Sequence, residues 1–273
     1  MSPTHANDGL EFAYLDEGTG APLVFQHGLG GDSSQPRSLW GGNGRLVCLE
    51  CRGHGGTAPL GPADHLGFAT FAGDLASLLD ALGLDAIALG GVSMGAGVAL
   101  RLAYEQPERI RALVLVRPAW FTTASPPNLA AFPVIAQLLR TEGIARGRAS
   151  LQASEAFRRI RAESTVAADS LLAQFARPHA IERAAVLERL PADRPLPGTG
   201  PWPQLAMPTL VIGTERDPVH PFSCAEAWAQ ALPAATLRSA TPKSVDEARH
   251  AEDVTAAIDD FLSSTRTAQA RAT

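Results

Sequence analysis

The sequence predicts an α/β protein: a mostly parallel central sheet flanked by helices and interrupted by one long helical insertion. Three observations carry this. Short apolar runs alternate with segments of helical period from residue 22 to residue 118, the strand pattern disappears from 119 to 203, and it resumes at 208. With 273 residues, 45% of them hydrophobic, the chain can bury a sizeable core. The expected division is a core of 1–118 and 204–273 with a helical cap at 119–203.

In chain order, LEFAYLDEGTG (10–20) reads as a hairpin strand ending in a glycine-rich turn. LVFQ (23–26), RLVCLE (45–50), AIALGGV (86–92) and ALVLV (112–116) read as buried strands. Between them, FATFAGDLASLLDALG (68–83) sets Phe68, Phe71, Leu75, Leu78, Leu79 and Leu82 on one helical face. GAGVALRLAYEQP (95–107) behaves likewise until Pro107 stops it. The insertion is helical in pattern from NLAAFPVIAQLLR to AIERAAVLERL. It ends in PADRPLPGTGPWP, whose five prolines in thirteen residues suit a stiff return linker. Its apolar face, including Trp120, Phe132 and Leu138, is expected to line part of an entrance. Strands at PTLVIG (208–213) and ATLRSA (235–240) follow, with a helix from about 221 to 232 and a last helix from about 251 to 263. The small, polar tail beyond it is expected to fray.

Composition excludes several classes. The net charge is −5 and no Lys/Arg-rich run stands out, so nucleic acid is not an expected partner. The N-terminus has no positive n-region or apolar h-region, and no segment offers the apolar run a membrane span needs, which predicts a cytoplasmic protein. Three cysteines, Cys48, Cys51 and Cys224, suit reduced buried thiols rather than disulfides. Cys48 and Cys51 point to opposite faces of a strand, which argues against a shared metal.

The chemistry begins at LGGVSMGAGVAL, where Gly91, Ser93 and Gly95 spell G-x-S-x-G between a predicted strand and a predicted helix. Such a turn holds a serine hydroxyl above the sheet, and its glycines allow strand and helix to pass closely. A helix opening at Met94 also aims free N–H groups at the place where an oxyanion would form. A nucleophilic serine needs a base, and the base a carboxylate. Of seven histidines, His5, His65 and His179 read as surface. His27, in FQHGLGG, suits an oxyanion loop better than a base. His54 and His220 sit in turn-like RGHGG and PVHP and could either line a cleft or shape a turn. His250, late in the chain between the last strand and the last helix, is the preferred base. Glu215 and Asp217 follow the strand at 208–213, at the sheet edge where α/β sites form, and Pro218 favours Asp217 as the acid.

With HGLGG (27–31), RGHGGT (52–57), GGVSMGAG (90–97), GTERDP (213–218) and ARH (248–250), the chain resembles the α/β-hydrolase superfamily, in particular its capped serine esterases and lipases. The resemblance covers nearly everything outside the insertion. It implies a Ser93–Asp217–His250 triad, an oxyanion hole from the amides of Leu29 and Met94, and cleavage of a carboxylic ester through an acyl-enzyme without metal or cofactor. Lactonase, thioesterase, carbon–carbon bond hydrolase and perhydrolase chemistry use the same apparatus, and a non-catalytic binding protein could be built on the same fold. Two residues depart from the common D-x-R-G-x-G-x-S turn: Glu50 replaces the aspartate and Thr57 the serine. The candidate substrate contacts are His27, Trp120 and Arg117, the last at the end of a strand just before the insertion. The insertion holds ten arginines against seven acids, which could favour an anionic substrate or simply be solvated. The expected partner is a small ester-type molecule, and the expected assembly a monomer or homodimer.

Overall fold

A computed structural model describes residues 3–42 and 44–272. The first two residues of the N-terminal stretch and the last residue of the tail, on which expectations were also placed, lie outside the described residues. The chain opens with β1 (Thr4–Asn7), β2 (Leu10–Glu17), β3 (Pro22–Gln26), α1 (Ser34–Leu39) and β4 (Arg45–Leu49). It continues with α2 (Phe68–Ala81), β5 (Ile87–Val92), α3 (Met94–Glu105) and β6 (Ile110–Val116). Between β6 and β7 come α4 (Ala131–Ala153), α5 (Glu155–Glu163), α6 (Thr165–Ala173) and α7 (Ala184–Arg189), in the stretch expected to be an insertion, and the fold closes with β7 (Thr209–Gly213), α8 (Phe222–Ala231), β8 (Ala235–Ser239) and α9 (Glu247–Ala272).

The described strands form one sheet in the order β1-β2-β4-β3-β5-β6-β7-β8. The β1–β2 and β2–β4 pairs are antiparallel, and every pair from β4 to β8 is parallel. The expected mostly parallel sheet is therefore present. Strands β3 to β7 are apolar on both sides because helices cover both faces. One face packs on α2, α3, α8 and the insertion. The other packs on α1 and α9 through Leu39, Val254 and Ile258. On α2, the predicted stripe Phe68, Phe71, Leu75, Leu78 and Leu79 is buried. Each such side chain contributes about 1.5–3 kcal/mol of burial. Leu82 caps that helix, and Gly83 ends it in the left-handed region at φ 64°.

At the sheet's antiparallel end, Arg52 is 1% exposed and donates to both oxygens of Asp74 on α2, at 2.7 and 2.8 Å, and to Asp8 of the first hairpin at 2.8 Å. Removing one partner of such a buried pair costs about 3–5 kcal/mol, so this cluster holds hairpin, β4 end and helix in register.

Two expectations need correction. The last helix begins at Glu247 rather than near 251, because the Asp246 carboxylate accepts the Arg249 amide at 2.9 Å and opens the helix early. It also continues through the tail to Ala272 instead of fraying at 264. The return linker carries no helix or strand, and it packs as well as connects: Leu196 and Trp202 are buried, and the Trp202 ring meets those of Phe121 and Trp228. Between β6 and β7 the described residues form helices and turns and no strand. No described helix is long and apolar enough to cross a membrane.

Candidate active site

Ser93 joins β5 to α3 with φ 55° and ψ −109°, a left-handed conformation rare for a side-chain-bearing residue. Its amide donates to Val116 O at 3.0 Å, and its carbonyl accepts the Gly97 amide at 3.2 Å. The flanking glycines are sterically required. A Cβ on Gly91 would overlap the Gly95 backbone, and one on Gly95 would collide with the Gln26 carbonyl oxygen. The close passage inferred from the motif is real, and it holds the serine at the C-terminal edge of the sheet.

Ser93 lines a cavity of about 120 Å³ together with Leu29, Arg117, Phe132, Asp217 and His220. Leu29 lies in the β3–α1 loop, which is braced where the Gly28 amide donates to Gln35 Oε1 at 2.6 Å and the Gly31 amide to Gly28 O at 2.7 Å. Met94 is the first residue of α3 and its side chain is wholly buried, so its backbone is what it presents at the helix N-terminus. From the insertion, the Arg177 guanidinium rests against Gly30 of the same loop, filling the space a Cβ there would take. Arg177 Nε is buried without a partner among the described residues.

The carboxylate of Asp217, just past β7, is fully engaged. Oδ1 accepts the amides of Val219 and His220, both at 3.1 Å. Oδ2 accepts His220 Nδ1–H at 2.9 Å and Arg117 Nη1–H at 3.1 Å. Burial alone would raise this carboxyl, but His220 and then Arg117 outweigh it and hold the group well below the usual carboxylate range. Glu215 is exposed and lies outside the cavity lining. Arg117 lies at the end of β6, as read from the sequence, with φ 46° and its amide on Ile212 O at 2.7 Å. It does line the cavity.

Three sequence-derived assignments meet a different geometry. His250 sits on the first turn of α9, buried, with Nδ1 on Thr241 O at 2.8 Å. It is absent from the residues lining the Ser93 cavity, and the histidine on Asp217 is His220. Burial, then the neighbouring Arg117, push the His250 pKa down to about 4. The segment between β8 and α9 that does reach the cavity presents Lys243 and Ser244 instead. His27 is buried, with Nδ1–H donating to Gly28 O at 2.9 Å and Nε2 accepting the Cys51 amide at 3.1 Å. It ties the ends of β3 and β4 together and is not among the residues lining the Ser93 cavity. Trp120 is buried edge-on against Phe68 at 5.2 Å between ring centroids, and its carbonyl accepts Trp228 Nε1–H at 2.7 Å. Of the apolar residues expected at the entrance, Phe132 lines it, whereas Trp120 and Leu138 pack into the core.

Residues that the sequence left open or unnoticed complete the site. His220 read equally as cleft or turn, and its spacing of three from Asp217 was the available signal. Gln35, Arg216, Lys243 and Ser244 had none. The two departures in the 50–57 turn are also explained. Glu50 accepts the Ser33 amide at 3.0 Å, the Ser33 hydroxyl at 2.7 Å and the Gly56 amide at 2.6 Å, while Thr57 Oγ1 accepts the Ala13 amide at 3.0 Å. The longer glutamate spans two loops. The three cysteines are free thiols, and among the described residues no group of three or more His, Cys, Asp or Glu side chains is placed to hold a metal ion.

A family model described as alpha/beta hydrolase fold matches residues 21–251. The chain belongs to the α/β-hydrolase family. Among its relatives is the "Putative carbamate hydrolase RutD" of Klebsiella pneumoniae (strain 342), 32% identical over 227 residues that span 78% of this chain and 80% of that protein. The structure of a thermophilic esterase from Thermogutta terrifontis is similar with a TM-score of 0.71, 25% identity, and coverage of 96% of this chain and 97% of that one. An enol-lactonase from Burkholderia xenovorans LB400 shares the fold with a TM-score of 0.74 at 23% identity, covering 96% and 100% of the two chains. In this member of the family, the strained strand-to-helix turn at Ser93 and the Asp217–His220 pair line the same cavity.

Proposed function

We propose that this α/β-hydrolase cleaves the acyl bond of a small carboxylic ester through Ser93, with His220 as base and Asp217 orienting it. The observation that carries the reading is that Ser93 and the Asp217–His220 pair line one cavity, the pair held at 2.9 Å. A histidine whose Nδ1–H is committed to a carboxylate offers Nε2 as proton acceptor, which is what a general base needs. The strained elbow and the helix opening at Met94 support a nucleophile whose product oxyanion would meet the amides of Leu29 and Met94. The helical insertion, which contributes Phe132, Ser164 and Leu171 to the cavity, then serves as a cap over it.

In this scheme Ser93 Oγ attacks the carbonyl carbon while its proton passes to His220 Nε2. The tetrahedral intermediate collapses by breaking the bond to the leaving alcohol, which takes that proton. Water then attacks the acyl carbon and gives one proton to His220; as the bond from that carbon to Ser93 Oγ breaks, His220 passes this proton to Oγ and the acid departs. Asp217 stays ionised throughout, as its depressed pKa favours.

The non-catalytic reading keeps two specific supports: the β8–α9 segment brings no histidine to the cavity, and Arg117 competes for Asp217. A fluorophosphonate probe separates the two. Covalent labelling mapped to Ser93, lost in His220→Ala and retained in His250→Ala, is the expected result. Labelling that survives His220→Ala and disappears in His250→Ala would return the base to α9, and no labelling of the folded wild type would favour a binding protein.

A further inference from the structure

The charges and free donors around Ser93 are one-sided. Among the residues lining the cavity, Arg117, Arg216 and Lys243 are basic and Asp217 alone is acidic. Both Asp217 oxygens are already occupied by Arg117, His220 and two backbone amides, so this acid has little capacity left for a ligand. Arg117 spends one N–H on Asp217, and its Nε is buried with no partner among the described residues. The Ser244 hydroxyl, on the same wall, is likewise buried and unpartnered. Buried donors normally find acceptors, and two unpartnered ones on residues that line a cavity with surplus positive charge point to an acceptor-rich anion.

The acids nearest these cations do not change that balance. Glu247 approaches Lys243 only to 3.8 Å and is 61% exposed, and Glu215 is exposed and outside the cavity lining. Such contacts are screened by water. Burial, then Arg117, lower the Lys243 pKa in spite of the opposing pull of Glu247 and Asp217. The backbone keeps Arg117 in place, since its left-handed φ of 46° is held by β6 and β7 on either side.

We propose that the substrate carries a free carboxylate, received by Arg117, Lys243 and the Ser244 hydroxyl, so that the reaction at Ser93 cleaves the half-ester of a short dicarboxylic acid. The inference rests on Ser93 as nucleophile for its reaction, but the anion site stands on its own donors. The cavity, about 120 Å³, has room for a short acid.

The test compares monomethyl succinate with methyl 4-methylpentanoate, a neutral ester of matching shape, by pH-stat on the full chain. The expected kcat/KM ratio favours the anionic ester by at least about tenfold at low salt and falls as salt rises. Lys243→Met should collapse the ratio mainly through KM, and Lys243→Arg should restore most of it. A ratio of one or below in the wild type, or one unmoved by Lys243→Met, overturns the proposal. Succinate binding, read as a rise in Tm, separates this inference from the nucleophile assignment. If neither ester is turned over yet succinate stabilises the wild type and not Lys243→Met, the carboxylate site holds and the Ser93 chemistry fails. Turnover of the neutral ester alone, with no stabilisation by succinate, is the reverse outcome and sinks the carboxylate site.

Discussion

The turn between β5 and α3 and the segment between β8 and α9 meet at one cavity, yet they constrain the sequence very differently. At the first, Gly91 and Gly95 are dictated by backbone contacts that leave no room for a Cβ, and Ser93 by the strained corner between them. A residue pattern enforced by such contacts carries its geometry with it wherever it occurs. At the second, nothing comparable restricts the residues. A late histidine therefore proves little, and here the segment brings Lys243 and Ser244 to the cavity while His250 turns its Nδ1 to Thr241 O.

Substitutions on each side can break or sharpen this contrast. Ser93→Ala should abolish ester turnover with the circular dichroism spectrum unchanged; more than a few per cent residual activity in a folded variant would remove the elbow's claim to the chemistry. His220→Gln should lower kcat by about 10⁴ or more, by analogy with loss of a triad histidine, whereas His250→Gln should cost less than about tenfold and show instead as a lower Tm. Were these two to come out in the opposite order, the β8–α9 side would be as informative as the elbow. Asp217→Asn should reduce kcat by about 10³ to 10⁴, because a donor would face His220 Nδ1–H and favour the wrong tautomer. Glu215→Gln, an exposed change outside the cavity lining, should stay within about tenfold. Steady-state kinetics of both variants on one ester decide the pair.

The smallest expected effect is on stability against pH. His27, His54 and His250 are buried and their pKa values are lowered from the ordinary 6.5, in each case chiefly by burial, His250 to about 4. A depressed histidine stays neutral in the fold while its unfolded form takes up a proton below 6.5, so unfolding binds protons and stability falls as the pH drops. For His250 the loss runs from about 6.5 down to about 4. Thermal melts across that window should show a falling Tm, with a shallower slope in His250→Gln; a flat profile would mean these histidines do not titrate on unfolding.

Much of the fold was legible because burial writes a period into the chain. The α2 stripe and the doubly buried strands β3 to β7 appear where apolar spacing puts them. The start of α9 was hidden because its signal is the single carboxylate of Asp246, not a repeat. In the site, Ser93, Asp217 and Leu29 were readable from local motifs tied to the ends of strands. Lys243, Ser244 and Gln35 were not, since what brings each of them to Ser93 is tertiary packing. His220 illustrates the boundary: its segment was noticed, but only the 2.9 Å contact with Asp217 distinguishes a cavity residue from a turn residue.

The Arg177 guanidinium lying against Gly30 has a consequence for anyone recombining this protein with its relatives. The helical stretch between β6 and β7 is not an interchangeable part, because Arg177 from it is moulded to the loop that carries Leu29. A graft from another hydrolase would leave Gly30 uncovered or bring a side chain of the wrong shape against it. Chimeras should accordingly transplant residues 27–31 together with 119–203 as one inherited unit.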